Sequence, residues 1–218
     1  MADFAIARRN MIESQLRTNQ VTNPELLDAM ENLPREQFLP DALKGIAYVD
    51  EDIPLAGGRW LAEPLVIARL IQLAEPSKDD RALDIAPGPG YSTALLARLC
   101  HDVVAVEADH EWAESASKRL RALDIRNAWV VEAPLAKGYE ARAPYDVILV
   151  GGSVEEVPAS LTDQLGEGGR LVTVLRPAGK VGRICLMTRR AGILESRTVW
   201  DAATLPLPGF AAPSAFLF

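Results

Sequence analysis

The stretch from residue 82 to residue 107, ALDIAPGPGYSTALLARLCHDVVAVE, constrains the fold more than any other part of the chain. A short apolar run ends in a loop with two glycines, a helix-length run follows, and a β-branched run closes on an acid. Strand, glycine loop, helix and strand in that order open a parallel α/β unit, because parallel neighbours need a crossover long enough to hold a helix. The alternation surrounds this stretch. A helix is expected over Pro64–Ala74, then a strand over Ala82–Ala86, a helix over Tyr91–Cys100, a strand over Val103–Glu107, a helix over Glu111–Leu123 and a strand over Ala128–Glu132. Strand Tyr145–Val150, a helix near Pro158–Leu165 and strand Arg170–Leu175 follow. The pattern changes at the end, where Arg183–Arg189 and Ile193–Trp200, joined by Arg190-Ala191-Gly192, read as an antiparallel hairpin. Upstream, residues 3–33 read as helical with a break at Thr22-Asn23-Pro24, where Asn23 can cap and Pro24 can take the first helical position. Residues 34–64 are punctuated by prolines and glycines and read as irregular.

At 218 residues the chain fits one domain with a substantial core. A net charge of -7, with basic residues only in short runs such as Lys118-Arg119-Leu120-Arg121, argues against binding a phosphate backbone, so no nucleic-acid partner is expected. Two cysteines, Cys100 and Cys185, give no disulfide framework, and neither they nor His101 and His110 fall in a metal-ligand spacing, so no metal is expected. No apolar run approaches the roughly 18 residues of a membrane span, and the first residues do not read as a signal peptide. The expectation is a cytoplasmic chain without a membrane partner.

In an open parallel sheet, ligands settle beyond the C-terminal ends of the strands, which is where APGPGY and Glu107 fall. Gly88 and Gly90 let the backbone approach a ligand. A carboxylate at Glu107, one strand on, can accept hydrogen bonds from both hydroxyls of a ribose. The loop has no GKS or GKT to hold phosphates and magnesium, and GPGYST lacks the third glycine of a dinucleotide fingerprint. A nucleoside without a pyrophosphate, such as S-adenosylmethionine (AdoMet), is the remaining natural ligand.

These residues also carry a resemblance. MIESQLR, LPREQFLPDALKGIAYVDEDIPL, EPLVIARLIQLA, LDIAPGPGYSTALLA, VEADHEW, APYDVILVGG and LGEGGRLV follow, in order and spacing, the protein-L-isoaspartate O-methyltransferases. The resemblance implies a Rossmann-like, seven-stranded methyltransferase sheet with an N-terminal helical extension. It also implies AdoMet as methyl donor and a protein or peptide carboxylate as acceptor, the first step in repairing isoaspartyl damage. Residues 1–63 would supply helices and a substrate-side loop, and residues 64–218 the AdoMet-binding core. Asp84, Ala86, Gly88, Gly90, Tyr91 and Glu107 fall on cofactor-site positions, with Glu132 a candidate near the adenine. Trp60, Leu61, Ala62 and Glu63 fall on the family's substrate segment. There Ala62 stands at the catalytic position of a serine that contacts the substrate carboxylate.

The chain departs from the family at several of these places. The first loop glycine is Ala86, a GDG element is replaced by Glu132-Ala133-Pro134, and the serine and a neighbouring threonine are Ala62 and Trp60. These departures leave two further readings open: a non-catalytic relative that binds or scaffolds, and an AdoMet enzyme whose acceptor has changed, with Trp60 stacking on it. Ser153, His101 and His110 read as structural or surface residues, and Cys100 as core. The aromatic tail with Phe210, Phe216 and Phe218 reads as packing onto the domain, or as a contact between copies.

Overall fold

The computed structural model describes residues 3–210. The N-terminal section is α1 (Phe4–Asn10), a π turn and a 3-10 turn over 11–19, and α2 (Pro24–Asn32). α2 starts as its sequence dictates: Pro24 takes the first helical position, and the Leu26 amide donates to the Asn23 side chain at 2.9 Å. After further 3-10 turns come β1 (Ile53–Pro54) and β2 (Trp60–Leu61). These two strands form a sheet of their own, apart from the main one.

The core follows as α3 (Pro64–Ala74), β3 (Arg81–Ile85), α4 (Tyr91–Leu99), β4 (Asp102–Glu107), α5 (His110–Ala122) and β5 (Ala128–Glu132). Next are β6 (Tyr145–Val154), α6 (Ala159–Thr162), β7 (Leu165–Leu175), β8 (Arg183–Arg190) and β9 (Ile193–Asp201). The main sheet has seven strands in the order β5-β4-β3-β6-β7-β8-β9. Pairings from β5 to β7 are parallel, and β8 and β9 are added antiparallel. This is the expected α/β sheet with its terminal hairpin. The hairpin turns through Ala191 and Gly192, both at positive φ, as a two-residue turn matched to strand twist requires.

Alternate residues of each central strand serve opposite faces. Leu83, Ile85, Val104, Val106, Ile148 and Val150 join one apolar cluster. Ala82, Val103, Val147 and Leu149 join the other, which also takes in Met11, Leu16, Leu26, Met30 and Phe38 from the N-terminal section. The extension is therefore packed into the same core as α3 and α4.

Three elements differ from expectation. β6 and β7 extend through glycine pairs that read as strand breaks, and α6 has four residues, shorter than its sequence suggested. Gly152 shows why a glycine belongs inside β6: a Cβ there would lie 2.7 Å from the Leu207 side chain and 2.8 Å from the Trp60 ring. Ser153 is buried and donates to the Thr204 carbonyl at 3.1 Å, so it ties the chain end to the sheet. Phe210 is buried, whereas Phe216, Phe218 and the proposed contact through the tail lie outside the described residues. No helix among the described residues is long and apolar enough to cross a membrane.

Candidate active site

From β3 the chain runs outward to β4 and β5 on one side and then returns to β6 on the other side of β3, so the strand order reverses there and a crevice opens at the C-terminal ends of these strands. At the end of β3, Asp84 has no exposed surface and accepts from Ser92 Oγ and Thr93 Oγ1, each at 2.7 Å. Burial pushes its carboxyl up to about 6, against the opposing pull of the two hydroxyls. Asp84 thereby pins the first turn of α4 to β3 and holds the intervening loop in place. One of its oxygens, Oδ1, has no hydrogen-bond partner.

The loop keeps the shape that its glycines suit. Gly88 and Gly90 have φ of +51° and +95°, and Ala86 has φ of +60°. Alanine in the left-handed region costs about 1–2 kcal/mol, partly offset in a comparison with glycine by glycine's greater freedom when unfolded. Ala86→Gly is therefore expected to raise stability by up to about 1 kcal/mol, roughly 2–4 °C in Tm. Thermal unfolding of the variant checks this, and a lower Tm would show that the methyl group is not strained.

Glu107 ends β4 with no exposed surface. Its carboxylate accepts from the amides of Gly88 (3.3 Å), Ala108 (2.8 Å) and Asp109 (3.1 Å). The remaining direction is taken by Arg59, whose Nε lies 3.2 Å from both oxygens and whose Nη2 lies 2.5 Å from Oε1. Arg59 is itself only 7% exposed. The next residue, Trp60, is buried against Gly152. Trp60, Leu61, Ala62, Ala86, Pro87, Tyr91, Ser92 and Gly151 surround what is left of the crevice, a cavity of about 20 Å³. Wider hollows of about 500 Å³ lie elsewhere, one of them lined by Pro24, Asp28, Lys78 and Arg98, near residues that precede β3 and β4.

The segment from Trp60 to Glu63 is held by a second buried arginine. Arg35 donates from Nε to the Ala47 carbonyl at 2.7 Å and from Nη2 to the Ala62 carbonyl at 2.6 Å. Its guanidinium stacks 4.8 Å from the ring centre of buried Tyr91, which also meets Phe38 edge-on at 5.3 Å. Next to it, Glu36 accepts from Tyr48 Oη and from Arg8. PREQFLP and AYVD are thus parts of one buried network. Glu63 is half-buried, its amide donates to Asp52 at 2.7 Å, and burial with nearby Asp50 and Asp52 pushes its carboxyl up to about 7. Glu132 pairs with Glu107 in the β4–β5 register, but it stands exposed and meets His110 Nδ1 at 2.8 Å.

Of the residues singled out in the sequence, Trp60, Leu61, Ala62, Ala86 and Tyr91 meet at one cavity, with Glu107 beside the loop. Glu63 and Glu132 are not among its lining. Arg35 and Arg59 were missed. PREQFLP was a signal for Arg35, while nothing local marked Arg59. The groups around Glu107 suit a ribose by type, but Arg59 holds the carboxylate. The cavity of about 20 Å³ between Trp60, Ala62, Ala86 and Tyr91 has room for about one water molecule.

Comparison with known proteins bears on this geometry. The family model described as protein-L-isoaspartate(D-aspartate) O-methyltransferase matches residues 7–209. The protein-L-isoaspartate O-methyltransferase of Opitutus terrae is 33% identical over 91% of this chain and 85% of its own length. That of Methanoculleus marisnigri is 34% identical over 93% and 91%. A solved protein-L-isoaspartate O-methyltransferase is 25% identical with a TM-score of 0.83, covering 94% of this chain and 67% of the other. A Plasmodium falciparum structure in complex with S-adenosyl-L-homocysteine, 19% identical, has a TM-score of 0.78 over 95% of this chain and 99% of its own, and shows the shared fold alone. With its seven-stranded sheet, its loop between β3 and α4 and its match over nearly the whole length, the chain belongs to the protein-L-isoaspartate(D-aspartate) O-methyltransferase family.

Proposed function

We propose that this chain is an AdoMet-dependent O-methyltransferase that esterifies a carboxylate on a protein or peptide, isoaspartyl residues first among them, in cytoplasmic protein repair. The observation that carries the reading is buried Glu107 at the end of β4, accepting from the Gly88 amide of the glycine loop, in a chain matched by the family over residues 7–209. A carboxylate acceptor is already ionised at neutral pH, so the reaction asks the chain mainly to place its reactants and keep water out. Asp84, Ala86, Gly88, Gly90, Tyr91 and Glu107 are the proposed nucleoside side, with Glu132 at its rim. Trp60, Leu61, Ala62 and Glu63 are the proposed acceptor side.

Ala62 offers the acceptor no hydroxyl. A hydrogen bond to a charged group is worth about 1.5–3 kcal/mol, so Ala62→Ser is expected to raise kcat/KM for an isoaspartyl peptide at least tenfold. The test measures methyl transfer from labelled AdoMet to isoaspartyl and aspartyl peptides, with release of the label in mild base. Base-labile label on the isoaspartyl peptide supports the reading. A base-stable methyl group, or none at all, overturns it.

A further inference from the structure

The crevice is shut by one small strap, and the manner of its attachment is informative. Residues 53–61 form β1, a turn and β2, a two-stranded unit that makes no ladder with the seven-stranded sheet. Its base is fixed on both sides. Asp52 accepts from the Glu63 amide at 2.7 Å and from Thr204 Oγ1 at 2.9 Å, and Arg35 holds the Ala62 carbonyl. Its tip turns through Gly57 and Gly58, both exposed and at positive φ. The tip is held down by side chains: Arg59 on Glu107, Trp60 against Gly152, and Trp112 Nε1 on the Ala56 carbonyl at 3.3 Å. Lifting it breaks no strand pairing of the main sheet.

We propose that Arg59 is an internal competitor for the nucleoside seat: its guanidinium occupies the Glu107 carboxylate that a ribose would take, and nucleoside binds only when the 53–61 strap carrying Arg59 and Trp60 lifts. This inference rests on the methyltransferase reading above. It follows that the affinity of the wild-type chain is its intrinsic affinity multiplied by the fraction of molecules with the strap lifted. Breaking the ion pair from the arginine side removes the competitor and leaves the seat.

The test is calorimetric titration of the full chain and its Arg59→Gln variant with S-adenosylhomocysteine. The variant is expected to bind at least tenfold more tightly than wild type. Equal or weaker binding by folded variant overturns the competitor role. If both proteins bind, the methyltransferase reading survives that result, and if neither binds, both readings fall. A second measurement needs only wild type and Trp60→Phe. Tryptophan emission of wild type is expected to shift as the ligand saturates, and the shift to shrink in Trp60→Phe, because Trp60 leaves its pocket against Gly152 while Trp112 still reports the loss of the Ala56 carbonyl. Saturation without a shift also overturns the proposal.

Discussion

Glu107→Ala is expected to abolish measurable S-adenosylhomocysteine binding, although it breaks the same ion pair as Arg59→Gln. The two variants should move affinity in opposite directions, because Glu107 is both the anchor of the strap and the proposed seat of the ribose. Two hydrogen bonds to a charged acceptor are worth about 1.5–3 kcal/mol each, so their loss weakens binding by roughly a hundredfold or more. The change also removes the acceptor from the amides of Gly88, Ala108 and Asp109. The Gly88 amide is left buried and unpaired at a cost of about 1–3 kcal/mol, while those of Ala108 and Asp109 can turn to water, so Tm falls by roughly 2–12 °C. Arg59 can escape to water with the lifted strap, so its own share of the cost is small. Arg59→Gln leaves the three amides satisfied and should lower Tm much less. Calorimetric titration and thermal unfolding of both variants check this. Equal affinities in the two would separate Glu107 from nucleoside binding.

Arg35→Ala is expected to be the most damaging single substitution in the N-terminal section. Arg35 has no exposed surface; burial disfavours its charge and lowers its pKa, and its contacts offset that cost. Those contacts are the carbonyls of Ala47 and Ala62 and the face of Tyr91. Losing two charge-assisted hydrogen bonds and leaving a cavity costs about 4 kcal/mol, or roughly 8–16 °C in Tm. Lysine should recover less than half of this, because a compact ammonium does not reproduce the planar fork that reaches both carbonyls. Denaturant unfolding of Arg35→Ala and Arg35→Lys checks both statements. A cost below about 1 kcal/mol for the alanine variant would show that other contacts hold the base of the strap.

The sheet was legible because buried parallel strands leave near-continuous apolar runs with turn signals between them. β5 and α3 fall where their sequences place them, at Ala128–Glu132 and Pro64–Ala74. The ends of β6 and β7 were not legible. Their glycines look like breaks until Trp60 and Leu207 are seen occupying the space a side chain at Gly152 would need. The loop and Glu107 could be found because they sit together in one β3–α4–β4 unit. Arg59 could not, since its partner is 48 residues away and a lone arginine beside two glycines in an irregular segment carries no periodicity. The question raised by Ala86 is also answered only in three dimensions: the residue takes the left-handed conformation that a glycine would have taken, and the loop keeps its course.

The most direct test is a crystal structure of the full chain grown with millimolar S-adenosylhomocysteine. The expected result has the ribose hydroxyls on the Glu107 carboxylate, the loop of residues 86–90 against the ligand, and Arg59 and Trp60 displaced from the crevice. An intact Arg59–Glu107 ion pair with the nucleoside bound elsewhere would contradict the assignment of this crevice as the cofactor site.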